Sequence, residues 1–195
     1  MSCTGLILAA GESRRMGSPK ALLRYREATF LDTLIALFET RCDAVIVVLG
    51  AHADLIRERT TRPATFVFNA DYLDGQTTSM QCGLRAVPPE SEGVLFTLVD
   101  HPAVGASTVD ALLAAPLAAP RPLVRVPRYR DQRGHPIWFA RDLIPEFLAL
   151  PTDGAARDIV RAHAPHTQFL DLDDPGIRAD IDDPAAYAEL TGAAG

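Results

Sequence analysis

Gly11, Ser13, Arg15, Gly17 and Lys20 fall within residues 11–20, directly after the apolar run "TGLILA" (4–9). Glycines at such a place let backbone N–H groups turn toward an anion without side-chain obstruction. Arg15 and Lys20 can add charge-assisted hydrogen bonds to it. From Gly11 to Arg26 five cations stand against one acid, whereas from Asp171 to the end seven acids stand against one arginine. The chemistry this suggests is a basic pocket for a phosphate-bearing ligand, with carboxylates elsewhere that can hold a cation. Two common nucleotide loops are excluded. Gly11 is followed by Glu12 and Ser13, which breaks G-x-G-x-x-G, and Lys20 lies three places beyond Gly17, which breaks G-x-x-x-x-G-K-[ST].

Something must position that loop. The run 4–9 reads as a buried strand, and "DAVIVVLG" (43–50) as a strand buried on both faces. Further strands are expected at 64–69, 93–100, 121–129, 135–140 and 167–172. "TFLDTLIALFETR" (29–41) has helical spacing, with Thr29 as its cap. Helices are also expected at 53–60, after a turn-rich entry within 70–87, and at 107–117, 141–150, 154–164 and 182–192. Strands alternating with helices predict one three-layer α/β/α domain over 1–195, built on a mostly parallel, Rossmann-like sheet. Ligands gather at the carboxyl ends of such strands. The Pro/Ala-rich stretch 114–122 is too short to divide the chain.

The chain has 195 residues, 48% apolar and 23% charged, with a net charge of −6. That composition suits a soluble globular protein and disfavours nucleic acid as a partner. No apolar run reaches the roughly eighteen residues of a membrane span. Cys3, Cys42 and Cys82 form no C-x-x-C pair and have no zinc or disulfide spacing. A reducing cytoplasm is the expected setting.

The opening loop resembles the signature of MobA-like nucleotidyltransferases, roughly L-x-[AG]-G-x-S-x-R-M-G-x-x-K. Leu8, Ala10, Gly11, Ser13, Arg15, Met16, Gly17 and Lys20 all match. The likeness runs over nearly the whole chain. "NADYLDGQTTSMQCGL" (69–84) resembles N-P-x-y-x-x-G-x-x-x-S-l through Asn69, Gly75 and Ser79, with Ala70 in place of the proline. "LVDHP" (98–102) resembles the strand-end D-x-P, with His101 where glutamine is frequent. "RDQRGHPIWF" (130–139) matches G-x-x-G-H-P at Gly134, His135 and Pro136, with Asp131 in place of the first glycine. Gly154 and Arg157 fit a G-[AD]-x-G-A-R segment. "ADIDDPAAYAEL" (179–190) resembles D-I-D-T-P-E-D-y, with Asp183 in place of threonine and Ala185 and Ala186 in place of two acids; those exchanges predict altered packing more than lost chemistry.

The resemblance implies the nucleotide-diphospho-sugar transferase fold, with an NTP half at about 1–102 and an acceptor half at about 103–195. It implies nucleotide contacts from Leu8, Ala9, Ala10, Gly11, Ser13, Arg15, Gly17, Lys20, Asn69, Gly75, Thr78 and Ser79. Arg15, Lys20 and Asp100 would be catalytic, and Asp100 and Asp182 would hold Mg²⁺. His101, Gly134, His135 and Arg157 would lie on the acceptor side. "LAAG" at the loop leans toward the cytidylyl branch, hence toward CTP and molybdopterin, with transient contact to a molybdoenzyme or its chaperone. Another NTP such as GTP, or another acceptor such as a sugar phosphate, remains open at this stage. So does a degenerate relative that binds nucleotide without turnover.

Overall fold

The structure, a computed structural model, describes residues 2–115 and 121–192. Its centre is β1 (Cys3–Ala9), every residue of which is buried. β4 (Ala44–Leu49) and β6 (Gly93–Leu98) flank it, both parallel, so that Leu6 lies level with Ile46 on one side and Phe96 on the other. A strand walled in this way leaves no face to water, and its apolar residues therefore run on without alternating. β5 (Thr65–Phe68) extends the sheet beyond β4. β7 (Val124–Tyr129) and β10 (Thr167–Asp171) form the other side, with β9 (Ile137–Ala140) between β6 and β7. β8 (Gln132–Arg133) pairs with β7 only. Outside the sheet, β2 (Arg24–Tyr25) and β3 (Ala28–Thr29) make a small hairpin too short to show any period in sequence.

Most neighbours are parallel, but β9 is antiparallel to both β6 and β7. Only residues 130–136 separate β7 from β9, and β8 uses two of them. A parallel return needs a crossover of roughly a dozen residues or more, so so short a connection must reverse direction.

Helices cover both faces. α1 (Phe30–Glu39), α4 (Ala106–Ala114) and α7 (Pro184–Thr191) lie over one core, built around Ile7, Phe30, Phe38, Leu95, Val109 and Trp138. α3 (Gln76–Arg85), α5 (Ile144–Leu148) and α6 (Ala156–Ala162) lie over the other, around Leu6, Leu8, Met80, Leu84, Phe139 and Phe147. α2 (Ala53–Arg59) buries Ile56 in the first core. The three layers are those expected from sequence. Thr29 caps α1 as predicted, its hydroxyl oxygen accepting from the Asp32 N–H at 3.0 Å. The expected helix at 141–150 begins instead as a 3-10 turn, Arg141–Leu143, because Pro145 is tolerated only in the first turn of the α-helix that follows. Residues 116 and 117 of the helix expected at 107–117, and most of the Pro/Ala-rich stretch, lie outside the described residues. Among those described, no helix is long and apolar enough to cross a membrane.

One charged residue is part of the core. Arg125 of β7 is 1% exposed. Its guanidinium donates to the carbonyls of Leu112 at 2.7 Å and Ala115 at 3.0 Å, and lies 4.6 Å from the Trp138 ring centre. It thus supplies donors to the end of α4 and seals that end against the sheet. Arg125→Met keeps the bulk but strands those carbonyls. Thermal unfolding should show a loss of about 3 kcal/mol, or roughly 6–12 °C in melting temperature.

Candidate active site

The opening loop leaves β1 at the carboxyl end of the sheet. Ser13 and Gly17 take left-handed backbone angles, φ 53° and 72°, and fold it back on itself. The Ser13 carbonyl accepts from the N–H groups of Met16 at 3.0 Å and Gly17 at 3.2 Å. Its hydroxyl accepts from the Lys20 N–H at 3.0 Å. That last bond starts the 3-10 turn Lys20–Leu22, which aims the lysine across the strand ends.

Lys20 there meets two carboxylates that are far away in sequence. Its Nζ lies 3.2 Å from Asp100 Oδ2, just past β6, and 2.5 Å from Asp182 Oδ1, just before α7. Arg15 Nη2 reaches the other Asp182 oxygen at 2.6 Å. The Ile181 N–H donates to the Asp100 carbonyl at 3.1 Å, which fastens the two acidic segments together. Asp183 caps α7 by accepting from the Ala186 N–H at 2.9 Å, so the helix begins normally without the two acids that Ala185 and Ala186 replace.

A third carboxylate, Asp180, joins them. Ligand atoms of Asp100, Asp180 and Asp182 lie within 4.8 Å of one another. Loss of hydration, followed by repulsion from Asp100 and Asp182, pushes the Asp180 carboxyl up to about 6. The lysine bond holds Asp182 below the usual carboxylate range. Burial works against the charge on Lys20, but its two carboxylate partners outweigh burial and raise its pKa. Asp100 Oδ1 is buried and accepts no hydrogen bond from the described residues. Three hard oxygen donors, one of them without a partner, fit a divalent cation of the magnesium kind. Asp180 was matched in sequence only as part of D-I-D; its alternation with Asp182 was the signal that both could face one ion.

Leu8, Ala9, Ala10, Gly11, Ser13, Arg15, Lys20, Gly75, Ser79, Asp100 and Asp182 line one cavity of about 360 Å³, together with Tyr72 and Gln76. Gly75 precedes α3 with φ 117°, a backbone open essentially to glycine alone. Asn69, Thr78 and Gly17 do not line this cavity. Asn69 is 5% exposed and donates to the hydroxyls of Thr78 at 2.9 Å and Ser79 at 3.0 Å, bracing the start of α3 from behind.

Gly75, Gln76 and Leu98 also border a second cavity of about 710 Å³. Gly134, His135 and Arg157 line it, as do Arg133 and Arg161, two cations the sequence reading did not single out. The spacing of Arg157 and Arg161, four residues apart on α6, was the available signal. Gly134 is required by crowding, since a Cβ there would strike the Ile177 carbonyl. His101 does not line this cavity. It is 6% exposed and packs on the His135 ring with centres 4.7 Å apart. Burial lowers both imidazoles to about 4, so both are neutral at pH 7.

A glycine turn, a lysine bridging one carboxylate past β6 and another just before α7, and two cavities that meet at the start of α3 define a nucleotidyltransferase on this fold. The chain belongs to the MobA-like NTP transferase family, whose domain matches residues 5–167. It is 26% identical to the molybdenum cofactor cytidylyltransferase of Escherichia coli, over 92% of this chain and 90% of that one. It is 28% identical to the purine catabolism protein PucB of Bacillus subtilis, over 94% and 93%. The crystal structure of Rv0371c from Mycobacterium tuberculosis superposes with a TM-score of 0.84 at 29% identity, covering 98% of this chain and 99% of that one. A manganese complex of the same protein superposes at 0.81, with 28% identity and the same coverage.

Proposed function

We propose that the protein moves CMP from CTP to the terminal phosphate of molybdopterin and releases pyrophosphate. The observation that carries this reading is Lys20 held between Asp100 and Asp182 in a cleft that opens, past Gly75 and Gln76, into a larger cavity bearing arginines. The loop 10–20 and the start of α3 face the nucleotide. Arg15 and Lys20 neutralise charge on its α-phosphate and on the leaving pyrophosphate. The acceptor's phosphate is itself the nucleophile, so no residue need remove a proton. Arg133, Arg157 and Arg161 orient the anionic acceptor in the larger cavity. Asp100 and Asp182, with Asp180, would hold Mg²⁺, which supplies Lewis-acid neutralisation of the phosphates when bound.

Residues up to about 102 thus serve mainly the NTP, and those beyond mainly the acceptor, with Asp182 returning to the first half. The relative's name and the "LAAG" loop support cytidylyl transfer to the molybdenum cofactor. We place the reaction in the cytoplasm, where Cys3, Cys42 and Cys82 remain free thiols, and the product passes on to a molybdoenzyme or its chaperone.

The test is pyrophosphate release with CTP, GTP, UTP or ATP, each with and without molybdopterin, in Mg²⁺. The expected result is release with CTP and molybdopterin together. Release with a different nucleotide, or with a sugar phosphate in place of molybdopterin, overturns the substrate assignment. Tight CTP binding with no turnover on any acceptor overturns catalysis itself.

A further inference from the structure

Asp174 belongs to none of the motifs above and lines neither cavity, yet it joins three parts of the fold. Its Oδ2 accepts from the Gly105 N–H at 2.9 Å and from the Thr108 hydroxyl at 2.6 Å. Its Oδ1 accepts from the Gly176 N–H at 2.9 Å. Gly105 is the residue that precedes α4 and can offer no cap of its own. Asp174 therefore ties the N-terminal end of that helix to a segment 69 residues away, where the helix dipole favours a negative charge. The same carboxylate starts the 3-10 turn Pro175–Arg178. Gly176 lets the turn press inward, since a Cβ there would strike the Ala103 carbonyl. The fully buried Ile177 then accepts, through its carbonyl, from the His135 N–H at 2.9 Å.

Counting outward from this joint, Asp100 lies five residues before Gly105, and Asp180 lies six residues after Asp174. The joint thus sits at the root of both acidic segments. Those segments repel one another, since three carboxylates crowd within 4.8 Å. Lys20 and the Ile181–Asp100 bond hold the tips of those segments together and the Asp174 joint holds their roots, so that without the joint a bound cation must supply more of the ordering itself.

We propose that Asp174 is a positioning residue for the cation site: it fastens the segment carrying Asp180 and Asp182 to the loop that follows Asp100, and so fixes the three carboxylates at binding distance. This rests on the reading of Asp100, Asp180 and Asp182 as cation ligands. It assigns the residue no contact with substrate or ion.

Mn²⁺ affinity, followed by electron paramagnetic resonance in the presence of CTP and at a temperature well below each variant's unfolding, tests it. Asp174→Ala is expected to weaken Mn²⁺ binding about 10-fold or more, in line with other residues that act behind metal ligands. Saturating Mn²⁺ should restore most of kcat. Thr108→Val, which removes one of the three contacts and keeps the volume, should shift affinity the same way by less, and decides the matter if Asp174→Ala does not fold. Val109→Ala, a core truncation in the same helix, should lower the melting temperature and leave Mn²⁺ affinity within about twofold, the spread ordinary for a change away from a metal site. Unaltered affinity in both Asp174→Ala and Thr108→Val overturns the positioning role alone, as does an equal loss in Val109→Ala. Failure of the wild-type protein to take up Mn²⁺ with CTP overturns the cation reading first and this inference with it.

Discussion

Pyrophosphate release by the Asp100→Asn variant is expected to fall at least about 10³-fold, with a melting temperature no lower than that of the wild type. The two halves of this expectation have separate causes. Asp100 sits where β6 delivers its chain to the sheet edge, and one of its oxygens is buried without a partner among the described residues. A buried acceptor left unpaired costs stability, and beside two further carboxylates that cost is one a bound cation would offset. Asparagine has the same shape but neither the charge nor the second acceptor that a divalent cation needs. Its neutrality also removes repulsion against Asp180 and Asp182, so the fold itself should not suffer. Steady-state assays at saturating Mg²⁺, run beside thermal unfolding, read both. Activity within tenfold of wild type would sink the role given to Asp100.

The second large effect is expected at Lys20. Lys20→Met should lower kcat about 10²–10³-fold, since one preorganised cation facing the developing charge is lost. Unlike Asp100→Asn, it should also lower stability. The side chain is 12% exposed and is bonded to two carboxylates, and removing it leaves them facing each other with Arg15 as the remaining neighbour on Asp182. The loss should be about 2 kcal/mol, or roughly 4–8 °C, in the absence of divalent cation. Added Mn²⁺ should then raise the variant's melting temperature more than the wild type's, because it meets less competing positive charge. Equal shifts in the two proteins would show that Lys20 and the cation do not share these carboxylates.

Much of the frame was legible because it is written locally. The apolar run of β1 and the β-branched run of β4 announce strands with no solvent face, and Thr29 followed by Asp32 announces the start of α1. The glycines and cations of 11–20 mark a cationic turn at a strand end by residue type alone. The direction of β9 was not legible from its own residues. It follows from the length of the connection before it, which can be judged only once β7, β8 and β9 are known to be neighbours.

The site divides in the same way. By itself the sequence determined that a cationic glycine turn follows the first strand, that an acid ends the fourth long strand, and that acids gather near the end of the chain. Folding decided which of those acids meet the turn. Lys20 bonds to residues 80 and 162 positions away, Asp180 joins the pair, and Asp174 reaches 69 positions back to hold the joint. Turns and caps depend on neighbours within a few residues, so their patterns can be read along the chain. A charge cluster drawn from loops far apart in sequence has no such pattern, because the sheet order that brings its members together is set by the packing of the whole core.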